Sequence, residues 1–293
     1  MAIGGRIQGD LLESAAVVPR RATKDRIDDP RDVRRMRLQV EGADLSNADM
    51  RGAGQEVSGN VVEIRDARSL QAEPSNQDLA PYLRPEPLIE SDDPQILAEA
   101  TAAIAGADDP RTKAERLTRR VNGMLDKKPT VSLPSAREVL RTKVGDCNEH
   151  TALYVAMARA VGIPARIAVG LAYSRGAFYY HAWPEVYLEE ARGRGLSRAS
   201  AGESRGFWLP VDPTFNQFPA DATHVRLLRG GLDRQAEILP LIGHLKISII
   251  GLEVAPNSAP VLLGRGSMEA TPLAIPLPVR TGMTCWSSPS RAR

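Results

Sequence analysis

Cysteine is scarce in this chain. Its 293 residues hold two, Cys147 and Cys285, too few for a disulfide framework. No C-x-x-C pair or clustered His/Cys spacing occurs, so the usual signal of a structural zinc site is missing and no metal is expected. An excess of one charge is missing too. Lys and Arg number 38 against 36 Asp and Glu, a net +2, which gives no electrostatic case for nucleic acid. Long apolar runs are also absent. The longest near the amino terminus, Ala15 to Val18, is far below signal-peptide length, and no segment approaches a membrane span. The expectation is a soluble chain, cytoplasmic by default, with neither a nucleic-acid nor a membrane partner. No repeat is visible.

What is present is ordinary globular material. Hydrophobic content of 42% and charged content of 25% argue against whole-chain disorder and suffice for one catalytic domain with a smaller appendage. Residues 1–34 interleave Arg20, Arg21, Lys24 and Arg26 with Asp25, Asp28 and Asp29, and read as a flexible tail. Over 35–68, apolar residues alternate with polar ones among glycines, which predicts a small β appendage. Residues 69–93 are proline-rich and polar, a linker or a segment draped on the next domain. The catalytic domain is placed at 94–254, and 255–293 as a loosely held tail.

Within 94–254, Asp93-Pro94 and Asp109-Pro110 each open a helix, and Ser135 opens a short third one. Asp146 with Glu149 has the spacing of a capping box. Leu153, Met157, Ala160 and Val161 then mark one buried face of a helix that Gly162 and Pro164 end. Cys147 therefore sits in a helix first turn, where the dipole favours a thiolate. A buried inert cysteine is the plain alternative, but Asp146, Asn148 and Glu149 make this turn polar. ARIAVGLAY (165–173), SRGA and FYYHAWPEVYL (178–188) predict a β-hairpin. FWLPVDPT (207–214) predicts a strand ending at Asp212. A further strand, a short helix at 232–241 and the apolar run 244–254 are expected to finish the domain. Cys147, His181 and Asp212 supply in order a nucleophile, a base and a group to orient the base.

Five local words sharpen this: S-A-x-E-V-L (135–140), G-D-C (145–147), A-x-x-x-G-I-P-A-R (158–166), H-A-W-x-E-V-Y (181–187) and W-x-x-V-D-P-T (208–214). Together they closely resemble the core of the transglutaminase-like superfamily over about residues 94–220. The resemblance implies an α+β, papain-like core, with helices packed on an antiparallel sheet behind the small β appendage. It implies Cys147 as nucleophile, His181 as general base and then acid, and Asp212 as orienter of His181. Members hydrolyse amide bonds or transfer the acyl group of a glutamine side chain to an amine.

One departure concerns the oxyanion. Animal transglutaminases use an aromatic residue upstream of the cysteine, and none lies between Tyr82 and Tyr154 here. The Cys147 backbone N–H and Asn122 are the donors expected instead. No carboxylate-rich calcium loop is present, so no cofactor is expected. Trp183 is read as a groove residue or as strand core, Glu185 as an ion-pair or rim residue, His150 as a surface or supporting residue, and Cys285 as inert. The preferred function is acyl hydrolysis of a protein or peptide substrate through a thioester. Acyl transfer to amines is the alternative, and a non-catalytic binding module with the same fold is the rival from another class. Oligomeric state is not legible.

Overall fold

The structure, a computed structural model, describes residues 16–21, 26–45, 48–128, 135–189, 204–230, 234, 237–238, 241 and 243–255. Helix α1 (Pro94–Ala103) and helix α2 (Pro110–Met124) begin as their Asp-Pro pairs predict. Asp93 accepts from the backbone of Gln95 and Ile96, and Asp109 from Thr112. Helix α3 (Ala136–Thr142) starts after Ser135, whose hydroxyl turns to Glu90 instead of capping. These three surround helix α4 (Cys147–Ala160), which also lies on two sheet strands. The expected single buried face of α4 is therefore an underestimate. Every residue from Glu149 to Arg159 is buried, because neighbours pack on it from all sides. Arg159 tolerates this by donating to Ala165 O, Arg84 O and the Glu86 carboxylate, which leaves no bare buried charge.

After two short paired strands, β6 (Asp126–Lys127) and β7 (Val144–Gly145), the hairpin is present as β8 (Ala165–Ser174) and β9 (Ala177–Glu189), joined through Arg175 and Gly176. Both turn residues have positive φ, 49° and 94°, the requirement of a two-residue turn matched to strand twist. With β5 (Glu73–Ser75), β10 (Ser204–Pro210) and β11 (His224–Gly230) they form an antiparallel sheet in the order β11-β8-β9-β10-β5. The proline-rich stretch is thus draped on this sheet through β5. Mixed α+β architecture with helices on an antiparallel sheet is what the sequence predicts.

A second sheet contains β1 (Arg20–Arg21), β2 (Val33–Glu41), β3 (Gln55–Ser58), β4 (Val61–Arg65) and β12 (Lys246–Val254), ordered β1-β12-β2-β4-β3. Two expectations change here. The run 244–254 does not finish the hairpin sheet. Its Ile247 and Ile249 lie opposite Val40 and Leu38, and all four are buried, so apolar burial draws β12 into the appendage. Part of the stretch expected to be loose is also held: β1 pairs with β12, and buried Val17 exchanges two backbone hydrogen bonds with Phe178, at 2.8 and 2.9 Å. Most of the helix expected at 232–241, residues 1–15, and the tail from 256 on, with Cys285, lie outside the described residues.

The two sheets meet on a polar seam. Gln55 accepts from the Arg226 backbone N–H at 2.9 Å and donates to Arg226 O and Met50 O at 2.8 and 2.6 Å. The Arg226 guanidinium donates to Arg51 O, Gly52 O and, at 2.5 Å, Glu185. Glu185 also pairs with Arg166 at 2.7 Å. Burial alone would raise Glu185, but the two arginines hold its carboxyl down at about 2. Of the two readings of Glu185, the buried ion pair is the one observed.

Candidate active site

The site starts from the chemistry of G-D-C. Asp146 accepts from Asn148 N–H at 3.0 Å, and Glu149 returns a bond to Asp146 N–H at 2.9 Å, the reciprocal cap the spacing predicts. Gly145 is required beside it, since a Cβ there would fall inside the Glu149 side chain. The cap fixes where the helix begins and so where Cys147, its first residue, presents a half-buried thiol.

His181 comes from the middle of β9 and is buried. Its Nε2 lies 2.7 Å from Asp212 Oδ2. Asp212 is ionised and can only accept, so Nε2 carries the proton and Nδ1 is the nitrogen left for the Cys147 thiol. Burial works against a charged His181, yet Asp212, with a smaller share from Cys147, outweighs it and raises the ring to about 10. Burial would likewise raise Asp212, and the His181 and His224 rings reverse this and hold it well below the usual carboxylate range.

Asp212 sits just beyond β10, in a loop closed by paired bonds between its own backbone and that of Gln217, at 2.9 and 2.8 Å. Its Oδ1 accepts from the backbone of Thr214 and Phe215, at 2.7 and 3.0 Å. Asn122 reaches this loop from α2. Its amide donates to Pro213 O at 2.7 Å and to Thr214 O at 3.1 Å. Both amide hydrogens are thereby engaged. Asn122 holds the Asp212 loop, and an oxyanion would have to compete with two carbonyls for it.

Trp183 is buried and does not face an open groove. It lies 6.1 Å from the His181 ring with planes 21° apart, and edge-on to His224 at 5.1 Å. His150 is not a surface residue either. It is fully buried, with Nδ1 2.6 Å from Asp146 O. Burial lowers its proton affinity, so the ring is neutral and braces the first turn of α4.

Two residues escaped the sequence reading. Phe215 stacks on His181 at 4.7 Å and 10°, with 40% of its surface exposed, so His181 lies between Phe215 outside and Trp183 inside. The D-P-T-F run held that signal, because a residue three past an Asp in a tight loop folds back over it. His224 opens β11 and places Nε2 3.0 Å from the same Asp212 Oδ2. No local word marks it.

His181, Asp212 and His224 offer ligand atoms within 4.8 Å of one another. Two ligands on one tetrahedral zinc, each about 2.0 Å from the metal, stand about 3.3 Å apart. The observed 2.7 and 3.0 Å are direct N–H···O hydrogen bonds, so the set fits a proton network better than a metal.

Residues 98–213 match the family model of the transglutaminase-like superfamily core. No curated protein matches the chain. Similar solved structures include a protein from Cytophaga hutchinsonii provisionally assigned as a cysteine protease, 18% identical over 73% of this chain and 83% of that one, TM-score 0.45. Another is the periplasmic domain of TgpA from Pseudomonas aeruginosa, 14% identical over 71% and 92%, TM-score 0.42. A third, from Parabacteroides distasonis and provisionally assigned as a protease, is 13% identical over 64% and 42%, TM-score 0.30. The segment that carries Cys147, His181 and Asp212, residues 98–213, is a transglutaminase-like domain.

Proposed function

We propose that the protein is a thiol enzyme that hydrolyses amide bonds in peptides or proteins. The observation that carries this is the orientation of His181: Asp212 occupies Nε2 at 2.7 Å, and the free Nδ1 is left to a thiol at a helix amino terminus. In this reading Cys147 gives its proton to Nδ1 and the thiolate attacks the substrate carbonyl carbon. The oxyanion that forms takes the Cys147 backbone N–H. The C–N bond breaks as His181 returns its proton to the leaving amine, and a thioester remains on Sγ. His181 then removes a proton from water, hydroxide adds to the thioester, and the thiol leaves with the acid product released.

The test is intact-protein mass spectrometry with a peptide amide panel, with and without a primary amine. A thioester adduct that is absent in Cys147→Ala, with free acid as product, is the expected result. Amide product formed only when amine is present would turn the reading to acyl transfer. Turnover retained by folded Cys147→Ala would remove the nucleophile assignment, and no adduct or product on any substrate would favour a binding module.

A further inference from the structure

Asp212 is shared between two imidazoles, and the second has no role in the triad. His224 Nε2 faces Asp212 Oδ2 at 3.0 Å. Its Nδ1 faces Asp221 Oδ1 and Asp221 O, each at 3.2 Å. Asp221 cannot donate to it. Its Oδ1 already accepts from Thr223 N–H at 2.9 Å and Thr223 Oγ1 at 2.6 Å, and its Oδ2 from Gln217 at 2.7 Å. A neutral imidazole would turn one bare nitrogen toward an acceptor, in a site where His224, Asp212 and Asp221 are all buried. Two acceptor sides require two N–H donors. Both residues lie beyond the segment matched by the family model.

The geometry points to His224 as a fixed imidazolium that anchors Asp212 between two donors and moderates the negative charge His181 feels, a positioning residue for the thiol chemistry proposed above, on which its purpose rests. The resulting row alternates in sign: Asp221, His224, Asp212, His181. Asp212 alone would hold the His181 proton too tightly for it to pass to a leaving amine. A second cation on the same carboxylate oxygen loosens that hold. The two rings lie 5.8 Å apart, so their repulsion at an effective dielectric of 20 is worth up to about two pH units in the titration of His181.

The other ionisable groups nearby do not supply this effect. His150 of α4 is neutral by burial, and the charge of Lys127 lowers its proton affinity further. Arg226 and Glu185, which border a water-sized cavity of about 20 Å³ with His224 and Asp221, are paired with each other at 2.5 Å. Burial opposes the charged His224, and Asp221 and Asp212 overcome it, raising the ring to about 9.

The test is imidazole ¹⁵N NMR of the full chain at pH 7, with assignments from single-histidine variants. His224 should show both nitrogens protonated. His224→Gln keeps a donor for Asp212 but removes the charge, and should move the His181 titration upward by one to two pH units. Asp221→Asn should move it the same way. A purely structural His224 would leave that titration in place. A singly protonated His224 at pH 7, or a His181 midpoint unmoved in both folded variants, overturns the inference. Should neither variant fold, the wild-type spectrum decides alone. If Cys147→Ala retains turnover while His224 is doubly protonated, the nucleophile assignment fails and the charge assignment stands.

Discussion

Asp212→Asn tests the site at its most constrained atom pair. The carboxylate accepts four hydrogen bonds: two from backbone N–H on Oδ1 and two from imidazole Nε2 on Oδ2. Asparagine has one acceptor oxygen and one donor nitrogen, so it can satisfy only one side. If its NH₂ faces Thr214 and Phe215, two part-buried backbone donors lose their acceptor, at about 1 kcal/mol each. The cheaper choice keeps the oxygen there and points NH₂ at the histidines. His181 must then accept at Nε2, which puts its proton on Nδ1, where it cannot take one from Cys147. Two routes give the magnitude. Tautomer reversal in a triad of this kind costs about 10⁴ in rate, or about 5 kcal/mol. Loss of a charge pair at 2.7 Å costs about 6 kcal/mol at an effective dielectric of 20. Cys147 alkylation and amide turnover at pH 7 should both collapse while circular dichroism stays native. Turnover within tenfold of wild type in a folded variant would refute the orienting role of Asp212.

Two further outcomes follow from the same geometry. Gly145→Ala places a Cβ inside the Glu149 side chain. It should break the capping box and overpack its surroundings, for about 2–4 kcal/mol of lost stability by urea unfolding; a loss under 0.5 kcal/mol would contradict the close approach. Stability should also fall on the alkaline side. Against burial, their carboxylate partners raise His181 to about 10 and His224 to about 9. Both exceed the unfolded value of about 6.5, so their stabilisation is complete below pH ~6.5 and is lost as pH rises through the folded values. Asp212 and Asp221 are lowered, against burial, by the histidines, so their share is complete above pH ~4 and is lost in acid. The unfolding free energy from urea titration should therefore decline from pH 6.5 to 9.5, by at most about 3 kcal/mol from His224, and His224→Gln should flatten that decline. An equal slope in wild type and variant would refute it.

What could be read in the sequence was what short range encodes. The cap of α4, the two Asp-Pro helix starts and the 165–188 hairpin each depend on residues within a few positions of one another. Cys147, His181 and Asp212 stood in recognisable local words. His224 did not, because its meaning lies in sharing an oxygen with a residue twelve positions back, across a loop. Asn122 was read by its chemical type, as a free amide, and only the fold shows the two carbonyls that use it. The destination of 244–254 was equally hidden, since an apolar alternating strand fits either sheet and the partner that claims it is β2.

That pairing has a consequence for synthesis. Gln39 in β2 lies opposite Ser248 in β12, 248 − 39 = 209 residues later. At translation speeds of about 5–20 residues per second, β2 emerges roughly 10–40 s before the strand that covers one of its edges. During that wait the β2-β4-β3 part of the sheet has an open β2 edge of the kind that recruits foreign strands. Arg34, Arg35 and Arg37 punctuate β2 and supply the charge that discourages such pairing. The sheet closes only when residue 254 has left the ribosome, so a nascent chain halted short of β12 would expose this edge, whatever the state of helix α4.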